Sequence, residues 1–201
     1  MTKNANGKKA LLINGYEAFE GVGQNRLNNS LVQYSKEILE EKGYEVSVTE
    51  IYKKFDAMAE HDKILAADVV FVQTPIYWFG VPGAFKSYID RVFLIGYGSG
   101  SMSKGDGRTR DDSSQKYGSG GILTDKKYMI STTWNAPETA FNDKNEFIDG
   151  LSLDESTLTL HKTFQFCGLE KLPSFAVYDV FKEEDRTQDI LNFKNHVKDN
   201  F

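Results

Sequence analysis

The chain has 201 residues, 40% of them hydrophobic and 26% charged, with a net charge of -5. That length and balance suit one globular domain with a full core, spanning residues 1–201, and exclude a disordered chain. No run of Lys and Arg forms a basic stripe, so nucleic acid is not expected as a partner, and the pair Arg108 and Arg110 suits nothing larger than a phosphate.

The opening "MTKNANGKKALLING" is too poor in apolar residues for a signal peptide, and no stretch approaches the length of a membrane span. Those features predict a soluble cytoplasmic protein. Ala10–Asn14 is a short apolar run ending in Asn-Gly, a buried strand bounded by a turn. After the polar loop "GYEAFEGVGQNRLNN", Leu27, Leu31, Ile38 and Leu39 recur at helical spacing, and Gly43 marks the stop. Glu45–Ile51 alternates and predicts a second strand, followed by a helix over 58–66. Asp68–Gln73 is apolar on both faces, as a central parallel strand should be.

The loop "TPIYWFGVP" then places three large aromatics, Tyr77, Trp78 and Phe79, where polar turn residues are normal. Phe85, Tyr88, Ile89, Val92 and Phe93 mark an amphipathic helix. The Gly/Ser-rich stretch 96–121 has few apolar residues, and a segment of that length without structure is functional or disordered. Tyr128–Thr133 predicts a fourth strand, followed by the loop "WNAPETAFNDKNEF". A helix is expected over 157–167, a fifth strand over 175–178 and a closing helix over 188–198. Cys167, the single cysteine, can form no internal disulfide and reads as a core residue.

Alternating strands and helices imply right-handed crossovers and a parallel sheet covered on both faces. Five such units match an α/β flavodoxin-like three-layer sandwich, with a parallel sheet in the order 2-1-3-4-5. In such a sheet the ligand lies beyond the carboxyl ends of the strands, where the order reverses, so the loops after strands one, three and four should converge on it.

The first of these loops runs into a helix N-terminus, which favours an anion. Gln24, Asn25, Asn28, Asn29 and Ser30 offer neutral donors there and Arg26 a charged one, although a plain polar turn with an Asn cap explains the same residues. Aromatics beside an anion site suit a flat ring on a phosphate-bearing tail, against the plainer reading that Tyr77, Trp78 and Phe79 plug the core or a dimer seam. Thr133-Trp134-Asn135-Ala136-Pro137 again ends a strand with an aromatic and polar donors. Rival chemistries are poorly served. His61, His161 and His196 stand in no metal-ligand spacing, and no serine lies in a G-x-S-x-G elbow.

The stretches "LLING", "ADVVFVQTPIYWFGVPGAFKSYIDRVF", "DGRTR", "KYGSGG" and "KKYMISTTWNAPETAF", in that order along nearly the whole chain, resemble the flavodoxin-fold NAD(P)H:quinone reductases, most of all the modulator of drug activity B group. The resemblance implies an NAD(P)H dehydrogenase (quinone), a homodimer with one FAD per subunit, in which NAD(P)H gives hydride to the flavin and a quinone then takes the same place, in ping-pong order. It puts the FAD phosphates at Gly23, Gln24, Asn25, Arg26, Leu27, Asn28, Asn29 and Ser30. It puts Ile76, Tyr77, Trp78 and Phe79 along the isoalloxazine, with Thr133, Trp134, Asn135 and Ala136 closing the other side. Trp78, Phe79 and Trp134 become the substrate slot, and no side chain need be catalytic because the flavin carries the chemistry. Tyr117 is expected to contact FAD from the neighbouring subunit, which makes 96–121 an arm over the partner's site. The first loop departs from relatives, which offer a His and a Ser near its middle where this chain has "EGVGQNR". Two other classes stay open: a one-electron FMN carrier of the flavodoxin type, and a flavin-free interaction protein on the same fold.

Overall fold

All seven residues of Val69–Pro75 (β3) are buried, and a strand apolar on both faces belongs in the middle of a covered parallel sheet. In the computed structural model, which describes residues 7–19, 26–182 and 184–201, β3 lies between Lys9–Asn14 (β1) and Lys127–Thr133 (β4). Glu45–Glu50 (β2) pairs with the far side of β1. The outer strand expected over 175–178 is present, and a short piece that the sequence did not suggest comes before it. Glu170–Lys171 (β5) pairs with the start of β4, and Phe175–Val177 (β6) with its end. Pro173 stands between them and has no N–H for the ladder, so the edge strand breaks there. Every ladder is parallel, and the order β2-β1-β3-β4-β5 is the expected one.

The strands' two-residue period divides the core. Leu11, Ile13, Val70, Val72, Tyr128 and Ile130 face one side. There they pack on Ala57–Ala66 (α2), Gly83–Ser99 (α3) and Leu158–Phe166 (α5). Ala10, Leu12, Val69, Phe71 and Met129 face the other, under Arg26–Glu41 (α1) and Thr187–Asn200 (α6). A short helix, Leu153–Ser156 (α4), precedes α5 and is capped by Ser152 and Glu155 reciprocally. The two meet at Thr157, so the expected helix over 157–167 has a bent lead-in rather than a single start.

The stretch 96–121 differs from expectation. Its first four residues continue α3 to Ser99, where Gly100 in the left-handed region (φ 70°) ends the helix. The ends of the remainder are fixed, with Met102 and Ser103 buried and Ser103 bridged to Gly121, while residues 108–117 are exposed. A Cβ on Gly121 would lie 2.3 Å from the Gly168 nitrogen, so the glycines here permit close backbone contact rather than looseness. Among the described residues, no helix is long and apolar enough to cross a membrane.

Candidate functional site

β3 and β4 end side by side, paired from Val69 and Lys127 up to Pro75 and Thr133, and the Ile76 N–H donates to the Thr133 oxygen at 2.9 Å. Their loops therefore leave the same edge of the sheet side by side. Between them, with the start of α1 and the loop after β6, lies a cleft of about 1170 Å³.

One wall is the aromatic turn. The Tyr77 N–H donates to the Gly80 oxygen at 2.8 Å and the Gly80 N–H returns to the Tyr77 oxygen at 3.1 Å. Trp78 and Phe79, between them, have φ of 52° and 63°. Two positive values with this pairing make a type I′ turn, which normally selects Asn-Gly because side chains there meet their own backbone. Each bulky residue costs about 1–2 kcal/mol in that region, and strain of this kind gathers at functional sites. Trp78 is 96% exposed, so its burial gives nothing back in return. Tyr77 is the turn's anchor. Its hydroxyl donates to the Glu17 carbonyl at 3.2 Å, and burial, with Tyr16 and Glu17 nearby, pushes its pKa up to about 12. The Glu17 carboxylate in turn accepts from the Ala84 N–H at 2.7 Å, capping α3.

The other wall is the loop after β4. Trp134 borders the cleft, yet it is only 3% exposed. Its indole N–H donates to Thr132 Oγ1 at 2.8 Å, and its ring meets Phe141 edge-on at 5.1 Å. The expected slot residue is therefore mainly the pillar of a small apolar cluster with Ala140, Phe141 and Ile148. Phe147 takes the exposed place instead, its ring 5.6 Å from that of Phe79.

At the α1 end, Arg26, Leu27 and Asn28 border the cleft. Asn28 is buried, and its amide is committed inward: Nδ2 donates to Asn14 Oδ1 at 2.6 Å, and Oδ1 accepts from Gln73 Nε2 at 3.1 Å. Asn29 Oδ1 accepts from Asn14 Nδ2 at 2.9 Å, and Ser30 Oγ donates back to the Arg26 oxygen at 2.9 Å. These three side chains bond within the helix start and to the strands beneath it. Gly23, Gln24 and Asn25 lie outside the described residues.

Arg26, Leu27, Asn28, Ile76, Tyr77, Trp78, Phe79, Thr133, Trp134, Asn135 and Ala136 thus come together at one cleft, while Asn29, Ser30 and Tyr117 do not line it. Tyr117 is 70% exposed, against Phe166 of its own chain at 5.7 Å and with the Arg108 guanidinium 5.4 Å from its ring centre. Arg108 is paired with Asp106 at 2.5 Å, so it is no unengaged phosphate receptor. Sequence reasoning missed Tyr16, Phe19, Phe147 and Phe181 as lining residues. Phe147 stood in the quoted fourth loop, and aromatic content was its only signal. Phe181 follows the last strand, a loop that strand order alone did not bring to the site.

Residues 8–200 match the family model described as flavodoxin-like fold. NADPH:quinone oxidoreductase MdaB of Haemophilus influenzae is 37% identical over 188 residues, 94% of this chain and 96% of its own. Among solved structures, a candidate quinone reductase of Klebsiella pneumoniae superposes with a TM-score of 0.74 at 21% identity, over 96% of this chain and 83% of that one. The FMN-dependent NADH-azoreductase of Bacillus anthracis, solved with FMN, gives 0.61 at 14% identity over 96% of each chain. At those identities the two structures speak for the fold, and the Haemophilus relative speaks for the group. The chain belongs to the flavodoxin-like family, within the modulator of drug activity B group.

Proposed function

We propose that the protein is an NAD(P)H:quinone oxidoreductase that binds FAD in this cleft and acts as a homodimer. The observation that carries the reading is a set of backbone donors without partners on residues that line the cleft. Among the described residues, the N–H groups of Trp78, Phe79, Asn135 and Ala136 meet no backbone acceptor. Two come from each wall, and a flavin ring has an apolar face and an acceptor-rich edge that fit such a cleft. The relative named NADPH:quinone oxidoreductase supports the same activity. The volume, above the usual ~300–1,000 Å³ of small-ligand sites, favours the dinucleotide FAD over FMN.

FAD, when bound, supplies a ring that accepts hydride from NAD(P)H and returns two electrons to a quinone. The chain's own residues do the rest. Ile76 and Thr133 form the floor, and Trp78 and Phe79 offer a flat apolar face. Phe147 narrows the mouth opposite Phe79, so donor and acceptor take turns, in ping-pong order. Tyr77, neutral below its raised pKa, keeps the first loop tied to the aromatic turn. Arg26 at the start of α1 balances phosphate charge. Such a slot discriminates weakly among flat acceptors.

The test begins with the native protein's visible spectrum and acid release of its ligand. FAD by mass, with parallel double-reciprocal lines for NADPH and a quinone, is the expected result. FMN by mass would replace the cofactor assignment, and intersecting lines the kinetic order. Folded protein that takes up neither flavin ends the proposal.

A further inference from the structure

We infer that a second subsite beside the ring slot takes a positively charged arm carried by the acceptor. It deepens the proposed function and rests on the same slot. Behind the Phe79–Phe147 pair opens a second cavity of about 320 Å³, sharing Phe79, Trp134, Phe147 and Ile148 with the main cleft and adding Leu151. That volume is at the lower end of small-ligand sites and large enough for a substituent reaching past Phe147.

The wall that forms this cavity is built, not loose. Asn142–Leu151 closes on itself, with the Asn142 N–H donating to the Leu151 oxygen at 3.1 Å. Ile148 is buried against the Trp134 cluster and pins the loop to the body. Phe147, on the residue before, is thereby held at the mouth.

The charge of that wall sets the sign of the arm. From residue 142 to residue 155 the chain carries Asp143, Glu146, Asp149, Asp154 and Glu155 against Lys144 alone. Asp154 is turned away to Lys171 and His161. Asp149 and Glu155 line the second cavity. Side-chain and backbone hydrogen bonds from Ser152 hold the Glu155 carboxyl below its usual range, so it stays anionic. An apolar stem lies along Phe79 and Leu151, and an ammonium at its end meets the Phe147 face and the two carboxylates. Aromatic faces and carboxylates together attract such a cation, and an anionic arm of the same length is repelled.

The experiment uses three naphthalenes that cannot be reduced, bearing the same alkyl stem ended by trimethylammonium, methyl or sulfonate, titrated calorimetrically into the flavin-loaded protein. Affinity is expected to fall in that order, the ammonium form binding roughly tenfold tighter than the sulfonate at low salt. In the double variant Asp149→Asn, Glu155→Gln, both exposed positions, the ratio should shrink to roughly two or less. A ratio near one in the wild type, or an unchanged ratio in the variant, overturns the subsite. Matching naphthoquinones with the same arms, followed by turnover, test the reductase separately. Failure of turnover with the binding order intact removes the reaction and leaves the subsite standing. Equal turnover of all three with no binding order does the reverse.

Discussion

Phe79 carries two opposed demands. Its side chain makes one face of the slot, and its backbone occupies a region that only glycine enters freely. Phe79→Gly relieves the strain, and the exposed ring gives up little burial, so the fold should be no less stable and up to about 1 kcal/mol more stable. The same change should raise the quinone KM roughly tenfold, about the worth of one ring contact. Urea unfolding and steady-state kinetics on the same preparation check the pair of outcomes, and a less stable variant would show that the turn is not strained. Asn28 is the opposite kind of residue, spent wholly on the fold. Asn28→Ala leaves the Asn14 and Gln73 amides short of partners in a buried place, at a cost of about 1–3 kcal/mol for each group stranded. A loss under half of that in urea unfolding would mean water replaces the amide.

Among the elements, α4, α5 and β5 are tied by one polar knot. His161 Nδ1 meets the Tyr128 hydroxyl at 3.0 Å, and its Nε2 lies 3.1 Å from Asp154 Oδ1. Burial pushes the imidazole below its ordinary 6.5, with Asp154 pulling the other way. The unfolded chain therefore binds a proton that the folded chain refuses, and stability falls as pH drops below about 6.5. Burial raises Asp154, but hydrogen bonds from Lys171 and Ser174 outweigh it and hold the carboxyl below its ordinary 3.8. Its contribution is complete above 3.8 and is lost only as pH falls further, so the two windows are separate. The melting temperature should decline between about pH 7 and pH 5, and His161→Gln should flatten that decline while leaving the loss below about pH 4. An equally steep profile in the variant would assign the decline to other groups.

At the scale of the whole molecule, Tyr117 sits outside its own chain's cleft, and it shares the Phe166 ring with Tyr97, both of them exposed. Apolar side chains gathered on one face point to a partner surface. Under the proposed dimer, sedimentation should give twice the 22.7 kDa chain mass. Tyr117→Ala should then weaken FAD retention by roughly tenfold in dialysis with the monomer's melting behaviour unchanged. Retention equal to wild type would leave Tyr117 without a role at the cofactor.

The sequence by itself determined the order of the sheet and the edge where the cleft lies. A strand apolar on two faces must be central, five alternating units match the 2-1-3-4-5 topology, and loops at the strands' carboxyl ends share an edge. It also marked Tyr77, Trp78 and Phe79 as misplaced for a turn, and the left-handed backbone of Trp78 and Phe79 is the physical form of that misfit. Pro173, which has no N–H for the ladder, separates the expected edge strand from the short piece before it. Only the tertiary structure decided which side chains face the cleft. Trp134 and Phe147 are both aromatics of one loop, and nothing local distinguishes them; Thr132 and Phe141 draw one inward, while the pinned Ile148 leaves the other at the mouth. Asn28 resembled a ligand donor until Asn14 and Gln73, from two different strands, were seen to claim its amide. A residue's spacing records what its own backbone does, whereas its role depends on atoms that lie far along the chain and meet it only when the sheet is assembled.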